Sequence, residues 1–114
     1  MGLTITPSKK TDGTWHPCGD FRRLNIVTKK DKYPLPNLND FTAQLDGATC
    51  FTKLDLAKGF WQIPLCAEDI PKTAITTPFG LFEHLRLPFG IKNAPQTFQR
   101  FMYRVMDGLD GVFV

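Results

Sequence analysis

A single carboxylate sets the tightest constraint on the fold. Residues 51–65 read FTKLDLAKGFWQIPL, and Leu54-Asp55-Leu56 sets an acid between two leucines in a run that otherwise reads as a buried strand. An unpaired buried carboxylate costs several kcal/mol or shifts its pKa until it is neutral. Asp55 is therefore paired with a protein group or holds something positive, and the rest of the chain has to decide which.

A length of 114 residues predicts one domain with a modest core. Its 42% hydrophobic and 22% charged content excludes a disordered chain. No apolar run approaches the roughly 20 residues that span a bilayer, and the opening MGLTITPSKK lacks the apolar block of a secretory signal. No membrane partner is expected. Cys18, Cys50 and Cys66 are odd in number, widely spaced and without a Cys-x-x-Cys pair. They predict neither a disulfide framework nor a zinc site, but buried free thiols in a reducing compartment.

The net charge of +3 is unevenly spread. Residues 1–32 hold seven Lys or Arg against three Asp, which is +4, while the remainder holds seven bases and eight acids, which is −1. A basic face suits a polyphosphate partner, although a solvated surface fits the charge equally well.

Along the chain, LTITPSKKTDGTWHPC reads as two short strands joined around Asp12-Gly13, a strong hairpin signal. Tyr33-Pro34-Leu35-Pro36 is an extended connector, since a residue before proline is pushed out of the helical region. Leu38, Phe41, Thr42 and Leu45 then fall at helical spacing, with Asn37 or Asn39 as N-cap and Gly47 as stop. Cys50 to Leu56 reads as a strand that closes at Ala57-Lys58-Gly59. Thr73–Thr77 and Leu81–Leu87 predict a hairpin around Pro78-Phe79-Gly80. The clearest helix opens at Pro95 and carries Phe98, Phe101, Met102, Val105, Met106 and Leu109 on one apolar stripe, with Gly108 at its end. Gly111–Val114 begins another strand. This irregular alternation predicts a mixed α+β fold rather than a doubly wound parallel sheet.

Six blocks together carry a resemblance: Asp20-Phe21-Arg22-Arg23-Leu24-Asn25, Lys32-Tyr33-Pro34-Leu35-Pro36, Leu54-Asp55-Leu56, Lys72-Thr73-Ala74, Leu87-Pro88-Phe89-Gly90, and Asn93-Ala94-Pro95 followed by Phe98-Gln99. In this order and spacing, across nearly the whole chain, they resemble the reverse transcriptases of gypsy-type long-terminal-repeat retrotransposons. The resemblance implies the incomplete fingers and palm of a right-hand polymerase, a mixed, mainly antiparallel sheet packed on helices. Residues 1–50 would form part of the fingers and residues 51–114 mainly palm.

For Asp55 the resemblance implies one of three metal-binding carboxylates, with the backbone carbonyl of Leu56 as a further ligand. The cofactor would be Mg²⁺, or Mn²⁺ in its place, in two-metal phosphoryl transfer from a deoxynucleoside triphosphate. Such a metal would also offset the desolvation of Asp55. Gly59 and Phe60 match the place of the incoming sugar, where an aromatic ring would clash with a 2′-hydroxyl; the plain alternative is that Phe60 is core. Lys9 matches the lysine that meets the triphosphate, Lys10 is a substitute contact, and Phe89 lines the nucleotide pocket. Asp20, Arg22, Gly90, Asn93, Pro95 and Gln96 match positions facing the RNA or DNA template–primer. His16 stands where relatives carry an arginine, whose fork of hydrogen bonds a histidine cannot make.

In the family, the strand corresponding to Gly111–Val114 runs into Tyr-x-Asp-Asp, the source of the other two carboxylates, and no Asp-Asp pair occurs in these 114 residues. The expectation is a fragment of an RNA-directed DNA polymerase with negligible activity alone, completed by the remainder of a Pol polyprotein. A non-catalytic nucleic-acid-binding remnant, or a truncated product without its own function, is the alternative.

Overall fold

Ile5–Lys9 (β1) and Trp15–Gly19 (β2) pair antiparallel, Ile5 opposite Gly19 and Lys9 opposite Trp15. The computed structural model describes residues 4–9, 11, 13 and 15–114, with the backbone alone for residues 6–9 and 15–17. This is the hairpin expected around Asp12-Gly13; Gly13 has φ +83°, which glycine adopts without steric cost, and Asp12 lies outside the described residues.

The Asp20 N–H donates to the Thr4 carbonyl at 2.8 Å, tying the chain after β2 back to β1. A short helix that hydrophobic spacing does not announce, α1 (Arg22–Val27), follows. Its start is organised by Asp20, whose carboxylate accepts the Arg22 N–H at 3.1 Å and a fork from the Arg22 guanidinium, Nε at 2.9 Å and Nη2 at 2.6 Å. These hydrogen bonds, the guanidinium's first and the backbone N–H next, lower the Asp20 carboxyl from its ordinary value near 3.8 to about 2. At the other end the Lys92 ammonium donates to the carbonyls of Asn25 (3.1 Å) and Thr28 (2.9 Å), satisfying groups that a helix end leaves without partners.

Helix α2 (Leu38–Gln44) forms where the spacing predicts it. Asn37 is the N-cap of a reciprocal box: its side chain accepts the Asp40 N–H at 3.0 Å, and Asp40 accepts the Asn37 N–H at 3.5 Å. Two 3₁₀ turns, Gly59–Gln62 and Ile70–Thr73, precede the second hairpin. That hairpin pairs β3 (Ile75–Thr77) with β4 (Gly80–Phe82), turning at Pro78-Phe79. It is shorter than expected. Beyond β4 the chain leaves its partner and Arg86 bridges Pro64 instead, with the Leu87 N–H on the Ile63 carbonyl at 2.9 Å. Helix α3 (Ala94–Met106) carries Pro95 in its first turn, as the sequence predicts.

Four expectations need correction. Residues 50–56 form no strand, because no neighbouring segment among the described residues offers them a ladder; the segment is irregular and exposed, so water takes its backbone groups. Gly111–Val114 likewise finds no ladder partner among the described residues and is irregular, its Val114 carbonyl accepting Gln99 Nε2–H at 3.0 Å. The expected mixed sheet is two separate antiparallel hairpins. The cysteines are not buried thiols either: Cys50 and Cys66 are exposed and Cys18 is half-buried.

Ile63, Leu87 and Ala94 form the core, with Phe60, Leu65, Ile91, Phe98 and Phe101 packed against them. Of the α3 stripe, Met102 is buried but Val105 and Leu109 are exposed. The radius of gyration is 17.3 Å, against about 13 Å for a compact chain of this size, so the chain is more extended than a closely packed domain. No helix among the described residues is long and apolar enough to cross a membrane.

Gly19 is where the hairpins meet, and it leaves no room for a side chain: an added Cβ would stand 2.8 Å from the Phe21 ring and 2.9 Å from Ile75 Cδ1. Gly19→Ala should destabilise the fold by about 1–3 kcal/mol, read by urea denaturation. A second expectation concerns acid. The depressed pKa of Asp20 means that its contribution is complete above the unfolded value near 3.8 and disappears as pH falls from there toward about 2. Asp20→Asn should remove that part of the acid sensitivity, flattening the stability–pH profile over this window.

Candidate nucleotide and nucleic-acid interface

Asp55 lies on the exposed segment before the first 3₁₀ turn and makes no hydrogen bond or ion pair among the described residues. The premise of burial is thus corrected: water solvates the carboxylate, and no metal is needed to offset desolvation. The turn behind it is tied by two hydrogen bonds. The Lys58 carbonyl accepts the Trp61 N–H at 2.9 Å, and the Ala57 carbonyl accepts Gln62 Nε2–H at 3.4 Å. Gly59 sits against α3 so closely that a Cβ there would stand 3.1 Å from the Phe98 ring.

The next residue, Phe60, is half-buried between two aromatics. Its ring lies 5.1 Å from that of Phe89, tilted by 50°, and 5.4 Å from that of Phe98, edge-on at 74°. Both separations favour aromatic attraction. The structure therefore gathers Gly59, Phe60 and Phe89 just beyond Asp55 and Leu56. Phe98, which spacing marks only as part of an apolar stripe, is the floor that Gly59 and Phe60 share.

A metal ion would find in Asp55 one ligand of an open site. No group of three or more His, Cys, Asp or Glu side chains forms a cluster among the described residues. Magnesium, however, keeps several waters and takes one or two carboxylates together with substrate phosphates, and a solvated Asp55 suits that role.

The remaining candidates lie along a seam joining residues 20–33 to residues 90–100. Asn25 uses both ends of its amide: Nδ2–H donates to the Gly90 carbonyl at 2.7 Å and Oδ1 accepts the Lys92 N–H at 2.8 Å. Gly90 has φ +91°, and a Cβ there would stand 3.4 Å from the Phe21 ring. Asn93 accepts the Asp31 N–H at 3.1 Å and donates to the Lys29 carbonyl at 2.8 Å, so its side chain is engaged with protein on both sides. Arg100 completes the seam, pairing with Asp31 at 2.8 Å and lying 4.5 Å over the Tyr33 ring. The Tyr33 N–H first, and then Arg100, hold the Asp31 carboxyl below its usual range.

Arg22 exposes 87% of its side chain while Asp20 holds its Nε and Nη2, so its guanidinium is oriented yet open to a ligand. Pro95 is exposed; Gln96 is half-buried, and its Oε1 is buried without a partner among the described residues. Lys10, and the side chains of Lys9 and His16, lie outside the described residues.

Asn25, Lys92 and Arg100 are the residues that sequence reasoning missed. Their partners lie more than sixty positions away, as in Asn25 with Gly90 or Arg100 with Asp31, and no periodicity reports a pairing at that distance.

The chain matches the family described as reverse transcriptase (RNA-dependent DNA polymerase) over residues 8–114. The retrovirus-related Pol polyprotein from transposon 297 of Drosophila melanogaster is 48% identical over 87 residues, covering 76% of this chain and 8% of that polyprotein. The Pol polyprotein from transposon opus of the same organism is 57% identical over 81 residues, covering 71% of this chain and again 8% of its own length. A foamy viral protease–reverse transcriptase solved in complex with dsDNA superposes with a TM-score of 0.79 at 25% identity, covering all of this chain and 24% of that one. The chain thus spans less than a tenth of the two polyproteins. The family match over almost the whole sequence, together with a fold shared with a solved polymerase, places this chain in the reverse transcriptase family.

Proposed function

We propose that these residues form the nucleotide-binding and template–primer-binding part of an RNA-directed DNA polymerase, which adds deoxynucleotides to a primer by two-metal phosphoryl transfer. The observation that carries the reading is the Phe60 ring, fixed against Phe89 and Phe98 immediately beyond an exposed carboxylate. Such a wall admits a deoxyribose and collides with a 2′-hydroxyl, because its two neighbours leave Phe60 little room to yield. The Asp55 carboxylate and Leu56 carbonyl would hold Mg²⁺ or Mn²⁺, which when bound neutralises charge developing on the attacking 3′-oxygen and the leaving pyrophosphate. Further carboxylates would come from the remainder of a Pol polyprotein like those of the relatives.

On the nucleic-acid side, the seam orients the basic segment. Asn93 acts as a positioning residue, since both ends of its amide hold residues 29–31. Arg22, Lys29, Lys30 and Lys32 are exposed on that segment. They supply the phosphate contacts, with Gly90 and the first turn of α3 at Pro95 and Gln96 beside them. Lys9 and Lys10 complete the triphosphate side of this reading.

Primer extension tests the catalytic part. The isolated 114 residues should give no extension above background. In a polyprotein carrying them, Asp55→Ala should lower the rate by at least ~10²-fold. In the same protein Phe60→Val should raise ribonucleotide relative to deoxynucleotide incorporation by at least ~10-fold. Unchanged sugar selectivity in Phe60→Val would return Phe60 to a packing role. For the binding part, the affinity of the 114-residue chain for a template–primer should fall with a log–log salt slope of about −3 to −4, as for roughly four phosphate contacts. A flat titration would remove the basic segment from the interface.

A further inference from the structure

Residues 29–37 belong to neither a helix nor a ladder, yet they carry Lys29, Lys30 and Lys32, all exposed. Exposure alternates along them: Lys30, Lys32 and Pro34 face solvent, while Asp31 and Tyr33 are half-buried. That is the period of two of an extended chain, which a following proline also favours for Tyr33. With no neighbouring strand among the described residues, side chains have to hold the segment in this form.

Two residues of α3, seven positions apart and therefore on one face, do so. Asn93, the N-cap, takes the Lys29 carbonyl and the Asp31 N–H. Beyond Asp31 the hold passes to Arg100. Its Nη2–H donates to the Asp31 carboxylate at 2.8 Å, and its guanidinium lies 4.5 Å over the Tyr33 ring. Tyr103, about one turn further along, meets the same ring at 6.4 Å between centroids. Asp31 also accepts the Tyr33 N–H at 2.9 Å, so one guanidinium grips two residues that are already tied together. A guanidinium suits both contacts, with hydrogen bonds in its plane and stacking on its face.

The lysines between these anchors gain no protein partner. Lys30 and Lys32 make no hydrogen bond or ion pair among the described residues. In an extended chain two such positions share one face with Cα atoms about 7 Å apart. We infer that Arg100 is a positioning residue which, through Asp31 and Tyr33, presents Lys30 and Lys32 as a pair to neighbouring phosphates of the template–primer. The inference rests on the nucleic-acid contact proposed above and adds what sets its geometry. Arg100 acts from behind, its charge spent on Asp31.

The test is salt-dependent titration of the 114-residue chain with a DNA template–primer, at a temperature where thermal unfolding finds every variant folded. Asp31→Asn is the informative variant. It keeps an acceptor for the Tyr33 N–H and removes a negative charge, so charge alone predicts tighter binding to a polyanion. Positioning predicts the opposite: binding weaker by ~3-fold or more, with a log–log salt slope shallower by about 1 as a phosphate contact is lost. Arg100→Ala should behave likewise. In a Lys30→Ala/Lys32→Ala background, Asp31→Asn should weaken binding no further, because the pair it positions is gone. Asp31→Asn binding as tightly as the parent, or tighter, overturns the role of Arg100 and leaves the basic segment in the interface. An undiminished loss in the background without the two lysines overturns it as well. A flat salt titration of the parent chain removes the segment and the inference together.

Discussion

The amide of Asn25 is the contact on which the arrangement depends. It closes one hydrogen bond to the Gly90 carbonyl and another from the Lys92 N–H, and Lys92 returns its ammonium to the end of the helix that carries Asn25. Hydrogen bonds of this kind contribute roughly 1 kcal/mol each, more where a charge is involved. Their value lies in geometry: they fix the backbone at Gly90, and so the neighbouring Phe89 ring against which Phe60 rests. From there contact passes through Phe60 and Phe98 to Gly59 and the turn behind Asp55. A basic segment and a carboxylate far apart in sequence are thereby held by one continuous set of contacts.

Much of this was legible in the residues. Asn37 three positions before Asp40 announces its capping box, Asp12-Gly13 its hairpin, and Pro95 ahead of an apolar stripe its helix, because each signal is local. The ordered blocks announced the family, which the match over residues 8–114 establishes. The seam was not legible. Asn25 closes one of the ordered blocks and Lys92 looks like an ordinary surface residue, but only the fold brings the two together. The strand expected at Cys50–Leu56 failed for a related reason: strand-forming residues state a preference, but a strand exists only where a second segment completes its ladder.

Burial follows the same logic. Leu54 and Leu56 suggested that Asp55 was enclosed, yet Leu54 is 86% exposed. Apolar neighbours in sequence do not exclude water; apolar neighbours in space do. Where α3 supplies them, as at Phe60 and Ile63, the sequence pattern and the observed burial agree.

One consequence concerns how the carboxylate is aimed. Asp55 is tied to the rest of the fold through the turn that follows it, four residues from the contact of Gly59 with Phe98. Extended chain covers roughly 3.5 Å per residue, so that anchor confines Asp55 to within about 14 Å of Gly59. It does not fix the oxygen to the ~0.5 Å that phosphoryl-transfer chemistry needs. On the proposed function the missing precision would come from what binds there. A strand laid beside residues 50–56 would order the backbone, and a cation shared with a triphosphate would order the carboxylate. On the proposed function both costs would be met at binding, so that affinity at this site and order in this segment would be one equilibrium.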